Sequence, residues 1–489
     1  MRTKLFFLAI LVSVGLYAED PFEGSGTELN PYRIGTVEEL EAFRDAVNGS
    51  SNTVYGAATV HYLLTSDIDL SSIESWGPIG VSGRTFKGVF NGGGHIINNL
   101  TITGSGAAQG LFGYTAGTTK ITGLAVLNID ITANTNTGGI VGLNYGLIEN
   151  CYATGSITGV SSATMLGGIT GRAMTMPSGS NPVISNSYSA VSIKGTGNLG
   201  SIVGSDGGGA LRNSVAAGGS IIGTTNEVGK LSGYCNPGTA PVGPNPGSPG
   251  TIKENLYAYE GLIVERTEPA GANAEDGAPA TLAELQSEEF YKTTLGWDFD
   301  NLWTIWEGNS FPYFQGQSAP VVISTAFVDK TISGLIKTDA VLDSLVVIIG
   351  DEKIVITDMS GENTWECATP ASAVAGTLVS VTAFEQGKSA SYTVTKSIEV
   401  DDEQSGIGKT IAKNQYVVYP TIISAGEPLY VEGEDAAVSI YSIQGTIVYQ
   451  SNLSEGSVAI PTAEIAAGTY ILRILPASGD VNIVKIQVK

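Results

Sequence analysis

The feature that most constrains the fold is a short phrase that recurs at a nearly constant interval between residues 110 and 233. Its first three copies have glycine at both ends, and the two residues between them are mostly apolar. The closing glycines follow one another at steps of 29, 29, 33 and 29 residues. The copies are Gly110-Leu-Phe-Gly113, Gly139-Ile-Val-Gly142, Gly168-Ile-Thr-Gly171, Ser201-Ile-Val-Gly204 and Lys230-Leu-Ser-Gly233. A constant period of this length predicts a solenoid, because no single repeat can bury its own apolar residues.

A second phrase, such as Ile148-Glu-Asn-Cys-Tyr-Ala or Ile184-Ser-Asn-Ser-Tyr-Ser, follows the first in each repeat. Apolar residues alternate with small or polar ones, which is the period of a strand. Two or three short strands per repeat predict a right-handed parallel β-helix whose coils stack about 4.8 Å apart. The glycines of the first phrase are predicted to occupy corners that need positive φ.

Two stretches are predicted to cover the ends of this stack, because an open end exposes unpaired strand edges. Thr36-Val-Glu-Glu39 is a capping box, and Leu40, Phe43 and Val47 follow it on one helix face. Thr281-Leu-Ala-Glu284 repeats the capping pattern before the aromatic stretch 295–314, which is predicted to form the last coil and its cover. Its tryptophans are expected to pack in the core, with stacking on sugars as the alternative; they are Trp297, Trp303 and Trp306.

The repeats resemble the GLUG motif of bacterial surface proteins. The upstream runs Tyr62–Leu70, Trp76–Gly80 and Phe86–Ile97 are similar to the same family, so the resemblance covers roughly residues 27 to 315. It implies an exported solenoid, often an adhesin, and it implies no catalytic residue.

Residues 319–398 contain less glycine and more β-branched runs, which predict a small, loosely immunoglobulin-like β-sandwich. The Cys…Trp…Cys spacing of true immunoglobulin domains is missing, and a spacer role is expected. Asp343-Ser344-Leu345 resembles the short acceptor for O-glycosylation in Bacteroidetes, which makes Ser344 a candidate. Residues 399–415 are predicted to be a linker.

Residues 416–489 resemble the C-terminal sorting domain of type IX secretion cargo, a second small β-sandwich. The phrases that carry the resemblance include Val418-Tyr-Pro420, Ala467-Gly-Thr-Tyr-Ile-Leu-Arg473 and the final Val484–Lys489. Pro420-Thr421 departs from the usual Pro-Asn-Pro. The resemblance implies passage across the outer membrane by the type IX machinery, removal of this domain, and attachment of the rest to surface lipopolysaccharide.

The N-terminus has the pattern of a signal peptide. Arg2 and Lys4 precede the apolar run Leu5–Leu16, and cleavage is predicted after Ala18, so the solenoid would occupy residues 19–317. The formal net charge of −23 argues against nucleic acid as a partner. Residues 101–259, however, hold only five acids and six bases. This nearly uncharged, hydroxyl-rich wall favours contact with glycans or side-by-side packing.

Two insertions, residues 172–182 and 234–250, interrupt the repeats at the same position, which is directly after the closing glycine of the first phrase. Insertions in one slot emerge on one face of a solenoid, which is often the binding face. The alternative is a pair of tolerated surface loops. The candidate binding residues within them are Arg172, Met174, Asn181, Tyr234, Asn236 and Asn245.

Catalytic signals are sparse. The chain has two histidines and none of the common nucleotide-binding or zinc-protease motifs. Asp67 and Asp69, like Asp298 and Asp300, have the spacing of paired carboxylates, which keeps a polysaccharide-cleaving hydrolase or lyase as the alternative function. The first pair is also a weak candidate for calcium, and no other cofactor is expected. The sequence therefore predicts a non-catalytic adhesin or surface-structure protein at the cell surface, with glycans or surface proteins as ligands.

Overall fold

A computed structural model of the chain gives the architecture. It describes residues 21–49, 54–104, 106–160, 165–175, 181–238 and 250–317 of the N-terminal part. Farther on it describes 321–322, 331–336, 342–350, 352–357, 364–370, 373, 377–385, 393–398, 410–412, 416–419, 422–423, 428–433, 435–442, 447–454, 457–463, 465–476 and 482–489. The predicted signal peptide with its cleavage site at Ala18 lies outside the described residues, and so does Asn245.

The N-terminal part is a stack of short strands with few helical segments. Helix α1 spans Val37–Asn48 and α2 spans Leu282–Leu285, and a π-helical turn follows at Phe290–Thr294. The strands are β1 Tyr32–Ile34, β2 His61–Leu64, β3 Ile68–Asp69, β4 Val89–Asn98, β5 Thr101–Thr103, β6 Phe112–Tyr114, β7 Lys120–Ala133, β8 Thr137–Gly138, β9 Val141–Asn144, β10 Leu147–Glu149, β11 Tyr152–Gly159, β12 Leu166–Gly167, β13 Thr170–Ala173, β14 Val183–Ser185, β15 Tyr188–Gly195, β16 Leu199–Gly200, β17 Val203–Asp206, β18 Ala210–Ala216, β19 Ser220–Gly223, β20 Val228–Gly229, β21 Ser232–Cys235, β22 Ile252–Tyr259, β23 Ile263–Glu265, β24 Ala278–Ala280, β25 Trp303–Thr304 and β26 Tyr313–Phe314.

Strands β1 to β24 stack in parallel, coil on coil, over about seven turns, whereas β25 and β26 pair with each other antiparallel. In the described part of the chain they form one large sheet and two narrow ones, ordered β20-β16-β12-β8 and β21-β17-β13-β9-β6. One inward column of the large sheet shows the register: Tyr32, Tyr62, Phe90, Ile121, Ile148, Ile184 and Leu211. The predicted fold class, a β-solenoid followed by antiparallel sheets, is confirmed.

The phrase glycines have a different role from the one predicted. Apart from Gly110, with φ +155°, they avoid positive φ in the described coils. A Cβ on Gly142 would instead lie 2.6 Å from the backbone nitrogen of Gln109, and a Cβ on Gly171 would lie 2.2 Å from that of Thr137. The prediction of positive φ was wrong at these sites, and glycine is required because two strand backbones approach too closely for any side chain.

At one corner of the stack, the residue with positive φ is asparagine in most coils. The corner residues of successive coils are aligned by the strand register and have φ between +46° and +61°; they are Gly123, Asn150, Asn186, Asn213 and Asn255. The side-chain amide of Asn213 donates to Asn186 Oδ1 at 3.2 Å, and that of Asn255 donates to Asn213 Oδ1 at 2.9 Å. Asparagine tolerates the left-handed region and links the coils through its amide.

Both ends of the stack are covered. Leu40, Phe43 and Val47 of α1 are fully buried, and the Phe43 ring lies 4.1 Å from that of Tyr62, centroid to centroid. The Thr36 hydroxyl accepts the Glu39 N–H, as the capping pattern predicts. At the other end, the backbone of residues 266–277 bonds to β21, the outermost strand of one narrow sheet: the N–H of Ser232 donates to the carbonyl of Glu275 at 3.1 Å and that of Cys235 to the carbonyl of Asn273 at 2.7 Å.

The aromatic stretch 290–317, here called the strap, does not form a last coil. It runs along the outside of the large sheet and covers tyrosines that successive coils present there. Its Phe290 packs on Tyr257, and Trp303 and Phe314 pack on Tyr152. The prediction of a terminal coil was wrong, because these outward tyrosines offer an apolar surface along the wall.

The C-terminal part is built of antiparallel strands. The first group is β27 Val321–Val322, β28 Thr331–Ile336, β29 Leu342–Ile349, β30 Glu352–Ile356, β31 Thr364–Ala368, β32 Leu378–Glu385 and β33 Val394–Ser397. The second group is β34 Thr410–Ala412, β35 Tyr416–Tyr419, β36 Ile422–Ile423, β37 Leu429–Glu432, β38 Ala436–Ser442, β39 Ile447–Leu453, β40 Ser457–Ile460, β41 Gly468–Pro476 and β42 Asn482–Val488. Strand β34 lies inside the predicted linker 399–415 and pairs with β35.

The first antiparallel group, β27–β33, packs directly against the solenoid. Ser192 Oγ donates to the carbonyl of Gly350 at 2.9 Å, and Gln286 Nε2 donates to the carbonyl of Thr395 at 2.7 Å. The wall glycine Gly218 makes room for Leu378, which would lie 2.9 Å from an added Cβ. Among the described residues, helices long and apolar enough to span a membrane are absent.

Candidate ligand-binding face

Both insertions leave the solenoid from the same edge of one narrow sheet. The first follows β13 and the second follows β21, with β17 between them. Two coil spacings separate their starting points, which is about 10 Å. The described parts of both insertions therefore begin close together on one face of the solenoid, as expected for insertions at the same position of the repeat.

The residue after each closing glycine falls in one column across this sheet. The column runs Tyr114, Leu143, Arg172, Ser205 and Tyr234 in register. Tyr114, Arg172 and Tyr234 are partly exposed, whereas Leu143 and Ser205 are 9% and 6% exposed. Along this column, partly exposed side chains therefore alternate with buried ones from coil to coil.

A second column lies two residues farther along each coil. The Tyr145 hydroxyl lies 3.9 Å from Met174 Sδ, and the Asn236 amide donates to the carbonyl of Gly207 at 3.2 Å. A Cβ on Gly207 would lie 3.6 Å from the Cα of Met174. We call these two columns, residues 114, 143, 172, 205 and 234 with 145, 174, 207 and 236, the loop-side face.

The loop-side face brings together four of the six residues proposed from sequence: Arg172, Met174, Tyr234 and Asn236. Asn181 is exposed and lies farther along the first insertion, beside Pro182. Sequence reasoning missed Tyr114 and Tyr145, because attention went to the insertions themselves. The signal was present, since each lies a constant number of residues after a closing glycine.

Arg172 is the charged residue of this face. It makes no ion pair within the described part of the chain, and its Nε is buried with no acceptor there. Residues 150–205 contain no aspartate or glutamate, so neither the first insertion nor the rest of its own coil can supply a counter-charge; the flanking acids are Glu149 in the preceding coil and Asp206 in the next. The guanidinium therefore lies in a nearly acid-free part of a strongly acidic chain.

The nearest acid in register is Asp206, beside Ala173, and it is engaged internally. Its Oδ1 accepts the N–H groups of Gly208 and Gly209 at 2.9 and 2.8 Å. Burial raises the pKa of this carboxyl above its usual value, and the two backbone bonds lower it in part. Asp206 therefore stabilises the turn at Gly208 and Gly209 that follows β17, in the coil between those that carry the two insertions.

The aspartates considered for catalysis or calcium join neighbouring coils instead. Asp67 Oδ1 accepts the Ile96 N–H at 2.9 Å and lies 3.0 Å from His95 Nδ1. Asp69 accepts the Ser71 N–H and the Asn99 side-chain amide, both at 2.9 Å. Clusters of three or more His, Cys, Asp or Glu side chains suited to a metal ion are absent from the described residues.

The second acidic pair lies in a turn of the strap. Asp298 accepts the side-chain amide of Asn301 at 3.1 Å and the backbone N–H groups of Asn301 and Asp300, and these bonds hold its pKa below its usual value. Asp300 pairs with Lys292. The spacing of this pair therefore reflects turn formation and not a shared strand face.

The other reactive or stacking side chains are largely enclosed. Trp297 and Trp303 are buried in the strap, and Trp306 is partly buried against the β27–β33 core. Burial raises the pKa of the Cys151 thiol to about 12 and that of Cys235 to about 11. Ser344, the candidate glycosylation site, is partly exposed beside a bulge of β29.

Comparisons with known proteins identify two segments. Residues 133–158 match the GLUG motif, and residues 421–489 match the secretion system C-terminal sorting domain. The first match lies in the middle of the solenoid and overlaps β8 to β11, and the second covers β36 to β42. A sorting domain of this type indicates secretion across the outer membrane, to the cell surface or the extracellular space.

Two curated proteins resemble part of the chain. Halomucin of Haloquadratum walsbyi is 32% identical over 160 residues, which is 31% of this chain and 2% of halomucin. A protein of Evansella cellulosilytica named "Putative Gly-rich membrane protein" is 33% identical over 152 residues, 29% of this chain and 17% of that protein. The chain thus spans only a small part of either relative.

Among solved structures, a "putative immunoglobulin A1 protease" from Bacteroides ovatus is 24% identical, with a TM-score of 0.45 over 60% of this chain and 95% of that one. The two family matches are the findings that bear on identity. This chain is a β-solenoid protein that carries a GLUG motif and ends in a type IX sorting domain.

Proposed function

We propose that this protein is a surface adhesin that binds glycan or protein ligands through the loop-side face and its two insertions. The observation that carries the proposal is the convergence of both insertions on a strip of partly exposed tyrosine, arginine and amide side chains. The strap and β27–β33 cover a different wall of the solenoid, where Tyr152, Tyr188 and Ser192 lie. The loop-side face lies in a separate sheet.

Binding without catalysis is part of this proposal. The carboxylates Asp67 and Asp69 are committed to bonds between coils, and Asp67 also holds His95. A glycosidase needs two carboxyl groups facing each other across a substrate. The loop-side face contains none, which supports recognition over bond cleavage.

Surface attachment completes the proposal. The sorting domain implies contact with the type IX secretion machinery. We propose that the domain is then removed and that the remaining chain is attached to surface lipopolysaccharide. Deleting residues 416–489 should leave the protein in the periplasm, and surface display of the truncated chain, detected with antibody on intact cells, would refute this step.

The ligand test uses the purified protein on a panel of immobilised polysaccharides and mucins. Retained protein and soluble sugar products are both measured, the latter by mass spectrometry. Retention without products supports the adhesin. Released oligosaccharides would contradict it and favour the polysaccharide-cleaving alternative. If nothing is retained, and the protein self-associates in sedimentation, a structural coat replaces the adhesin.

A further inference from the structure

We infer that the loop-side face is specific for an acidic glycan, and that Arg172 pairs with its carboxylate or sulfate group. The inference rests on the proposed function and names the ligand class of the same site. The juxtaposition that carries it is one guanidinium without an ion pair at the centre of a tyrosine-flanked column that itself contains no acid.

The geometry suits an extended polymer. Arg172 is the middle residue of its column, and Tyr114 and Tyr234 lie two coils away on either side, about 10 Å each. The intervening Leu143 and Ser205 are nearly buried and form a low floor. A polysaccharide lying along the stack would meet aromatic rings and hydroxyls at its ends and the guanidinium in its middle. Tyrosine supplies an apolar ring face and a hydroxyl, the two features that sugars require.

The charge pattern selects an anion. Within the described residues the partly exposed Arg172 makes no ion pair, so its guanidinium charge is not neutralised by a neighbouring acid; its Nε is covered by protein, which leaves the two terminal Nη groups to meet a ligand. A carboxylate or sulfate can accept two parallel bonds from a guanidinium, which a neutral hydroxyl cannot. Asp206 does not serve as that partner, because it is 1% exposed and lies in register with Ala173, one residue beyond Arg172, so that its side chain points to the opposite side of the sheet.

The same pattern gives selectivity. The chain carries a formal net charge of −23, so an acidic polymer is repelled by most of its surface. Charge complementarity at one site contributes more to specificity than to raw affinity. We therefore expect binding in one register on the nearly neutral wall and no general adhesion of acidic polymers.

The test compares three immobilised probes of known chemistry: polygalacturonate for carboxylate, dextran sulfate for sulfate, and neutral dextran. The full-length protein, Arg172→Gln, Arg172→Lys and Lys194→Gln are compared by surface plasmon resonance at two salt concentrations. Lys194 is an exposed base on β15, in the large sheet, so Lys194→Gln is a matched loss of one charge away from the face.

We expect the unmodified protein to bind at least one acidic probe more tightly than neutral dextran. Arg172→Gln should weaken that binding at least tenfold, Arg172→Lys should weaken it less, and Lys194→Gln should leave it unchanged. Whether polygalacturonate or dextran sulfate is preferred assigns the anion as carboxylate or sulfate.

Two outcomes would overturn the inference and leave the adhesin proposal standing: preference for neutral dextran, or equal loss in Arg172→Gln and Lys194→Gln. The adhesin proposal fails separately, if the protein is retained on none of these probes and on none of the wider polysaccharide and mucin panel. Because Arg172→Lys keeps the charge and most of the side-chain volume, it separates loss of recognition from loss of folding.

Discussion

Backbone conformation at single residues decides where each coil turns. Asparagine at positive φ turns the chain at one corner, while glycine in the repeated phrase lets neighbouring backbones touch. The two residues are easily confused in a sequence, because both favour turns. Their physical reasons differ: asparagine adds an amide that bonds to the next coil, and glycine is needed for the absence of a Cβ.

Asn213 provides a test of the asparagine corner. Asn213→Ala should lower the free energy of unfolding by about 1–2 kcal/mol for the left-handed backbone, and by about 1 kcal/mol for each of two lost amide bonds. Asn213→Gly keeps the backbone and loses only the bonds, so its effect should be smaller. Urea unfolding monitored by circular dichroism measures both; equal losses would contradict the role of φ.

Asp206 provides a test of burial. Burial raises the folded-state pKa of its carboxyl above the unfolded value of 3.8, so its contribution favours folding below pH 3.8 and is lost as pH rises through the folded-state pKa. Asp206→Asn keeps an oxygen acceptor for both N–H groups, as Asn144 does for Gly146 in an earlier coil. The variant should gain stability relative to the unmodified protein as pH rises from 3.5 to 7. Melting temperatures across this range would contradict the idea if the difference stayed constant.

At the scale of elements, the strap stabilises the wall by covering outward aromatic residues. Trp303 is fully buried and its ring lies 4.7 Å from both Trp297 and Phe314. Local rules correctly predicted the capping box at Thr281, where the hydroxyl accepts the Glu284 N–H and the Glu284 carboxylate accepts the Thr281 N–H. They could not predict which surface the strap covers, because that depends largely on Tyr152 and Tyr188, which lie more than 100 residues before the strap.

We expect Trp303→Ala to lower the free energy of unfolding by about 3–5 kcal/mol, the usual cost of removing a buried tryptophan. The control is Tyr152→Phe, which keeps the stacked ring and loses one hydrogen bond to Gln317, and it should cost about 1 kcal/mol. Thermal and urea unfolding measure both. A small loss in Trp303→Ala would mean that the strap is not part of the folded core.

At the scale of the whole molecule, the β27–β33 sandwich packs directly onto the solenoid. Besides the contacts of Ser192 and Gln286, the Thr395 N–H donates to the carbonyl of Asn309 in the strap at 3.0 Å. Strap, wall and sandwich therefore meet in one interface.

Gly218 tests this interface. A glutamate there would place a charge against Leu378 and should detach the sandwich, which increases the radius of gyration in small-angle X-ray scattering. Gly218→Ala is the matched control, because its methyl group meets the flexible tip of Leu378 at 2.9 Å, the Cβ of Ala190 at 3.6 Å and the Phe311 ring at 3.8 Å, and brings no charge. An unchanged scattering profile for Gly218→Glu would show that the contact does not hold the two parts together.

The sequence by itself determined the solenoid, its covering helix and the sorting domain, because these depend on local period, capping and phrase order. The tertiary structure alone decided the path of the strap and the make-up of the loop-side face. Arg172 and Tyr234 are 62 residues apart in sequence, yet stacking places them two coils apart. Coil stacking converts each 29- or 33-residue step into about 4.8 Å, so surface neighbours are set by the register between coils and not by distance along the chain.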